Sequence, residues 1–243
     1  MKYKRIIPIL LLKDNYLVKT TKFKNHIYIG DCINTIKIFN QKEVDELIIL
    51  NIDSKIDFEL LSQIASESFV PITYGGGIKT IEDAKKIFNL GIERIAVNST
   101  ILENFDFLKK LNKTFGKASI VASVDVKKNI FGKYKIKQFD AFSFIKKCSE
   151  YVGEVLVTNI ERENTQKGYD IDFYKKLNLE NIIANGGAKN FNDIKKLLLE
   201  TNINGAGGGS MFVFKGELKA VLISYPTTQK KEINEEMQKM CNG

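Results

Sequence analysis

The chain repeats itself at half its length, and this repeat restricts its fold more than any other feature. GGGIKTIEDAKKI (75–87) aligns with GGAKNFNDIKKLL, which begins at 186, at a shift of 110; Gly76 pairs with Gly186, Gly77 with Gly187, Asp83 with Asp193, and Lys85–Lys86 with Lys195–Lys196. DELIILNID (45–53) aligns with GEVLVTNIE (153–161) at a shift of 108, pairing Glu46 with Glu154 and Asn51 with Asn159. PILLLKD (8–14) aligns with ASVDVKK (122–128) at a shift of 114. Loop insertions produce shifts that differ by a few residues, so two equivalent halves account for all three matches.

The runs between these anchors define the fold class. Strands are expected at Arg5–Leu12, Glu46–Ile52, Val70–Tyr74, Arg94–Val97, Ile120–Val126, Glu154–Asn159, Ile182–Ala184 and Gly205–Gly208. They are nearly continuously apolar, as parallel strands covered on both faces are. Helical patterns separate them. Thr80–Leu90 puts Ile81, Ala84, Ile87 and Phe88 on one side and stops at Gly91; Asn104–Phe115 does the same with Phe105, Leu108, Leu111 and Phe115. Eight such units predict an α/β fold, a (β/α)8 barrel built from two four-strand halves. An open doubly wound sheet is the alternative and does not require the repeat. Residues 1–226 are expected to form the barrel and 227–243 a polar, frayed tail, in which Ile233, Met237 and Met240 have the spacing of a short amphipathic turn. PILLLKDNYLVKTTKF (Pro8–Phe23) reads as the end of the first strand running into a long basic loop.

Composition narrows the function. No apolar run reaches the roughly 18 residues of a membrane span, and Ile6–Leu12 lacks a cleavage site, so a cytoplasmic chain without a membrane partner is expected. Cys32, Cys148 and Cys241 are scattered and the single histidine, His26, lies in a polar segment; zinc, a disulfide framework and a Ser-His-Asp triad are all disfavoured. The formal charge of +8 comes from lysines spread along the chain, without an arginine-rich or aromatic-interleaved tract. A solvated surface explains most of it, a phosphorylated small molecule comes next, and nucleic acid is not the expected partner.

The glycines point to where such a molecule would sit. Gly75–Gly77 follows the third strand and Gly186–Gly187 the seventh; Asn98, Ser99 and Thr100 follow the fourth, and Gly207–Gly209 with Ser210 the eighth. Glycine at a strand end lets the backbone approach a ligand, and exposed N–H groups there favour anions. Each half can therefore form one phosphate cradle, and two cradles across one mouth imply an elongated ligand with a phosphate at each end.

RIIP…KD…VKTTKF, DELIILNID, PITYGGGI, IAVNST, SVDVKK, VTNIERENTQKGYD, IIANGGA and the final glycine-rich turn occur in the order found in the cyclase subunit of imidazole glycerol phosphate synthase. The chain resembles this HisF-like family over about residues 4–225. The resemblance implies a barrel that docks a glutaminase subunit at its bottom face and receives ammonia through its interior, with no cofactor or metal. It assigns phosphate contacts to Gly76, Gly77, Asn98 and Ser99 in one half and to Gly186, Gly187, Gly209 and Ser210 in the other, with Thr165 beside them. Lys19 matches a loop lysine near the substrate. Asp125 matches one of two catalytic aspartates that serve as general acid and base. The other falls at Leu11, and the shift of 114 independently pairs Leu11 with Asp125. Asp14 lies beyond the strand and would point elsewhere. Asn51 replaces an aspartate, and Glu163–Asn164 an Asp-Gly pair. Arg5, Glu46, Arg94 and Glu154 match the ring of alternating charges at the ammonia entrance, with arginine for lysine at position 94.

Leucine carries no proton, so the two-acid mechanism cannot run in its usual form. Three readings follow. In the first, the chain resembles the paralogous subunits found with sugar amidotransferases in surface-glycan biosynthesis and delivers ammonia for conversion of an N-acetyl to an acetamidino group. In the second, it is a working cyclase of histidine biosynthesis that relies on Asp125. In the third, it is a non-catalytic scaffold or sensor for a glutaminase.

Overall fold

A computed structural model describes residues 3–21, 24–53, 55–216 and 220–242. The chain begins with β1 (Arg5–Lys13), a hairpin of β2 (Tyr16–Thr21) and β3 (Lys24–Asp31), and helix α1 (Cys32–Gln41). There follow β4 (Leu47–Asn51), α2 (Phe58–Glu67), β5 (Ile72–Gly75), α3 (Ile81–Asn89), β6 (Arg94–Val97), α4 (Ser99–Glu103) and α5 (Phe105–Phe115). The second half has β7 (Ile120–Lys128), a hairpin of β8 (Tyr134–Ile136) and β9 (Phe139–Asp140), α6 (Ala141–Ser149), β10 (Glu154–Asn159), α7 (Ile171–Leu177), β11 (Ile182–Asn185), α8 (Phe191–Glu200), β12 (Gly205–Gly208), α9 (Ser210–Val213) and finally α10 (Thr227–Asn242). Strands β1, β4, β5, β6, β7, β10, β11 and β12 pair in parallel in that order, and β12 returns to β1, closing a (β/α)8 barrel.

The strand register reproduces the sequence repeat. β1 meets β4 through Ile9↔Ile48 and Leu11↔Leu50; β7 meets β10 through Ser123↔Leu156 and Asp125↔Thr158. Leu50↔Gly75 on β4–β5 recurs as Thr158↔Asn185 on β10–β11. These are the pairings obtained by moving each strand by its own sequence shift. The turns recur as well. Gly76 (φ 116°) and Gly186 (φ 92°) cross tightly over the preceding strand, where an added Cβ would lie 2.0 Å from the Asn51 carbonyl oxygen and 2.6 Å from that of Asn159. Asp83 accepts the Lys79 N–H at 3.1 Å and Asp193 that of Lys189 at 2.9 Å, while Thr80 and Asn190 cap the two following helices.

Period-two alternation separates two apolar layers. Ile6, Leu10 and Leu12 of β1 pack outward under the helices, in the large core. Ile7 and Ile9 point inward to a separate cluster with Ile48, Ala96, Val121, Leu156 and Ile183, which fills the barrel. The inward row of β1 thus reads Arg5, Ile7, Ile9, Leu11 from the N-terminal end of the barrel to the C-terminal end.

Two expectations are corrected. The long basic loop after β1 is the β2–β3 hairpin: Asp14 (φ 48°) and Asn15 (φ 64°) make a two-residue turn that folds β2 antiparallel onto β1. Its tip, residues 22–23, lies outside the described residues. The tail expected to fray is helix α10, with Ile233 buried, Lys230 paired to Asp45, and Glu236 2.6 Å from Lys195 of α8. The side chains of Met237 and Met240 lie outside the described residues.

Candidate functional site

At the N-terminal ends of the strands, Arg5, Glu46, Arg94 and Glu154 close into a ring of alternating charge. Arg5 Nη1 lies 2.7 Å from Glu46 Oε2 and its Nη2 contacts Glu154; Arg94 Nη1 lies 3.2 Å from Glu46 Oε1 and Nη2 2.6 Å from Glu154 Oε2. Thr73 Oγ1 adds a donor to Glu46 at 2.6 Å. Burial pushes the Glu46 carboxyl up, against the opposing pull of Arg94 and Arg5. The terminal guanidinium nitrogens and the two carboxylates pair with one another, while Arg94 Nε is buried without a hydrogen-bond partner among the described residues.

At the C-terminal ends the barrel opens into a cavity of about 380 Å³. Asp125 and Leu11 both line it. Asp125 Oδ2 accepts from Asn98 Nδ2 at 2.8 Å, and burial pushes its carboxyl up while that hydrogen bond pulls it down. A carboxyl raised in this way lies nearer the range where it can both take and give a proton. Leu11 is buried at 6% exposure and offers only methyl groups. Asp14 does not substitute for it: its carboxylate is exposed and paired with Lys13 at 2.5 Å. Of the two equivalent strand positions, Leu11 and Asp125, only one carries an acid; Asp53 and Glu163 line the cavity from loops.

The two cradles differ. The first, at Gly76, Gly77, Asn98 and Ser99, lines the open cavity. The second, at Gly186, Gly187, Gly209 and Ser210, leaves only about 20 Å³. Lys19 reaches into it from β2, with Nζ 3.2 Å from Glu163 Oε1 and both side chains buried. Burial lowers the Lys19 pKa, and Glu163 works against that shift. Ser210 Oγ donates to Asn164 Oδ1. Thr165 is not brought to either cradle, since its hydroxyl donates to the Arg162 carbonyl at 2.9 Å within its own turn. Sequence reasoning did not join Glu163 to Lys19. It also missed the polar floor beside Asp125, where Asn185 Nδ2 donates to Thr158 Oγ1 at 3.1 Å; strand alternation from Asp125 and its repeat partners was the available signal.

Fold and site together define a half-repeat (β/α)8 barrel with an open cavity at the C-terminal strand ends and a charged ring at the other. The chain belongs to the histidine biosynthesis protein family, which matches residues 5–219. It is 40% identical over 247 residues to a Pseudomonas aeruginosa protein provisionally named imidazole glycerol phosphate synthase subunit hisF2, covering 95% of this chain and 98% of that one. A Vibrio vulnificus protein provisionally named subunit hisF3 is 40% identical over 246 residues, covering 94% and 95%. The imidazole glycerol phosphate synthase subunit HisF of Methanococcus vannielii is 29% identical over 273 residues, covering 97% and 96%. Among the described residues no helix is long and apolar enough to cross a membrane.

Proposed function

We propose that this barrel is the synthase-side subunit of a glutamine amidotransferase pair. A glutaminase docks on the face that carries Arg5, Glu46, Arg94 and Glu154, and ammonia passes the ring and the apolar interior to the mouth. There it is handed on, through a third enzyme, to a nucleotide-activated sugar, in surface-glycan biosynthesis. The mouth takes a phosphorylated small molecule at the Gly76–Gly77 and Asn98–Ser99 turns. The observation that carries this reading is the closed ring at one end of an inward row whose other end is Leu11. The entrance is kept where the second acid is missing. The 40% identity to the provisionally named subunits, against 29% to the Methanococcus HisF, supports the same side. The test is complementation of a cyclase-deleted, histidine-requiring strain. No growth without histidine is expected, and robust growth would sink the proposal.

A second reading rests on Asp125, whose raised carboxyl and Asn98 contact suit a single acid–base group. In that case the barrel closes the imidazole ring with added ammonia, and Asp125→Asn abolishes product formation. Unchanged turnover in that variant excludes it.

A further inference from the structure

We propose that the Lys19–Glu163 ion pair closes the second cradle, so that this mouth takes ligands that are anionic at one end only. The inference rests on the reading above that the mouth binds a phosphorylated molecule, and it specifies which molecules those are. Two-fold symmetry by itself predicts the opposite, a ligand with a phosphate at each end.

Four observations place the plug. A Cβ added at Gly209 would lie 2.2 Å from Lys19 Nζ and 3.0 Å from its Cε, so the ammonium already occupies the glycine surface that an anion would approach. Its partner Glu163 is 4% exposed, and Lys19 is 8% exposed. The Ser210 hydroxyl, the natural donor to an incoming oxygen, is turned to Asn164. The space left, about 20 Å³, has room for about one water molecule. An anion entering here would have to displace Glu163 from Lys19, because the ion pair as it stands offers no net positive charge.

The first cradle has no such plug. Gly76, Gly77 and Ser99 face the open cavity, and Lys79 lines it. A ligand held there by one phosphate extends toward Asp125 and Leu11, while its far end meets Lys19 already neutralised by Glu163. Charge at that far end is selected against; hydroxyl or amide groups are not.

The test measures binding of α,ω-alkanediol bisphosphates of increasing length, each beside its monophosphate, to the full chain by calorimetry. In the native protein each bisphosphate is expected to bind within about threefold of its monophosphate, close to the statistical advantage of two equivalent ends. In Glu163→Gln, Lys19 is freed of its counter-charge. At the length that spans the mouth the bisphosphate should then gain about tenfold or more while the monophosphate moves less than about threefold. A native preference of about tenfold for any bisphosphate overturns the inference whatever the variant does. So does a bisphosphate-to-monophosphate ratio that Glu163→Gln leaves unchanged at every length. If the native chain binds no monophosphate, the phosphate reading itself fails and the inference falls with it. Monophosphate binding with the wrong ratio removes the inference alone.

Discussion

Leu11 faces Leu50 across β1 and β4, and Asp125 faces Thr158 across β7 and β10; the two pairings are the same step of the barrel, half a turn apart. The backbone of the two halves agrees to the residue in register, while the side chains at the mouth have diverged. One half ends in two leucines and an open glycine cradle. The other ends in an acid, a threonine, and a cradle filled by Lys19 and Glu163. The difference shows which positions the fold demands. Glycines under a crossing carbonyl and aspartates that cap a turn recur because backbone geometry needs them. Acids at a mouth recur only if the chemistry does.

The backbone half of this comparison makes the largest prediction. Gly76→Ala and Gly186→Ala each force a Cβ into a strand carbonyl at positive φ, 2.0 Å away in the first case and 2.6 Å in the second. Both should destabilise the chain by about 3–5 kcal/mol, with Gly76→Ala the worse, read from chemical denaturation midpoints. A loss of under about 1 kcal/mol in one half would show that the repeat is not structurally equivalent there.

The ring offers the next test, because Glu46 and Glu154 are repeat partners on opposite sides of it. Glu46→Ala leaves Arg5 and Arg94 each with a single acceptor and Thr73 with none, at a cost of about 3 kcal/mol. Glu154→Ala should cost less by about 1 kcal/mol, since no hydroxyl is shown donating to it. Equal losses would mean that the Thr73 contact contributes nothing.

Much of this frame could be read from the sequence, for identifiable reasons. The strands Arg94–Val97, Glu154–Asn159 and Gly205–Gly208 have the expected bounds because each is flanked by glycine, a charge or a turn residue that fixes its ends. The ring was legible because its members all stand at strand starts. The β2–β3 hairpin was missed because the apolar runs Tyr16–Val18 and Ile27–Ile29 are only three residues long and are separated by a largely polar stretch; the Asp14–Asn15 pair was the turn signal. Helix α10 was missed because its described side chains include one buried apolar residue, Ile233, and its contacts to Asp45 and Lys195 are tertiary. The plugged cradle is of the same kind. Nothing local in Lys19 or Glu163 announces the other; only barrel closure brings β2 over the loop after β10.

Making the halves alike is the sharper test of the mouth. Leu11→Asp places a carboxyl beside Asp125 in a cavity that Asp53 and Glu163 also line, and burying it there should cost about 2–3 kcal/mol at neutral pH. Two carboxyls sharing a site push one pKa up, so the loss should shrink as pH falls and one of them protonates. Stability curves at several pH values check this. A variant that closes an imidazole ring with added ammonia where the native chain does not would support the reading that Leu11 stands where a second acid is needed.

Asp125→Asn should have the smallest effect, and its sign follows from the direction of one shift. Burial raises the Asp125 carboxyl above the ordinary aspartate value of about 3.9 in the unfolded chain. Between those two values the folded state binds more proton than the unfolded state, so stability falls as pH rises through the window, by at most about 1.4 kcal/mol per unit. The contribution is fully present below the unfolded value and lost above the folded one. Glu46 is raised by burial too and slopes the same way, so the measurable quantity is the difference between native chain and variant. Asparagine keeps an acceptor for Asn98 Nδ2 and removes only the proton site. The variant should therefore match the native chain in acid, gain on it as pH rises through the window, and hold a constant advantage above it. Leu11 contributes no such slope, so this part of the pH dependence belongs to one half of the barrel; parallel curves for native and variant would mean that Asp125 is solvated like a surface aspartate and is not poised for proton transfer.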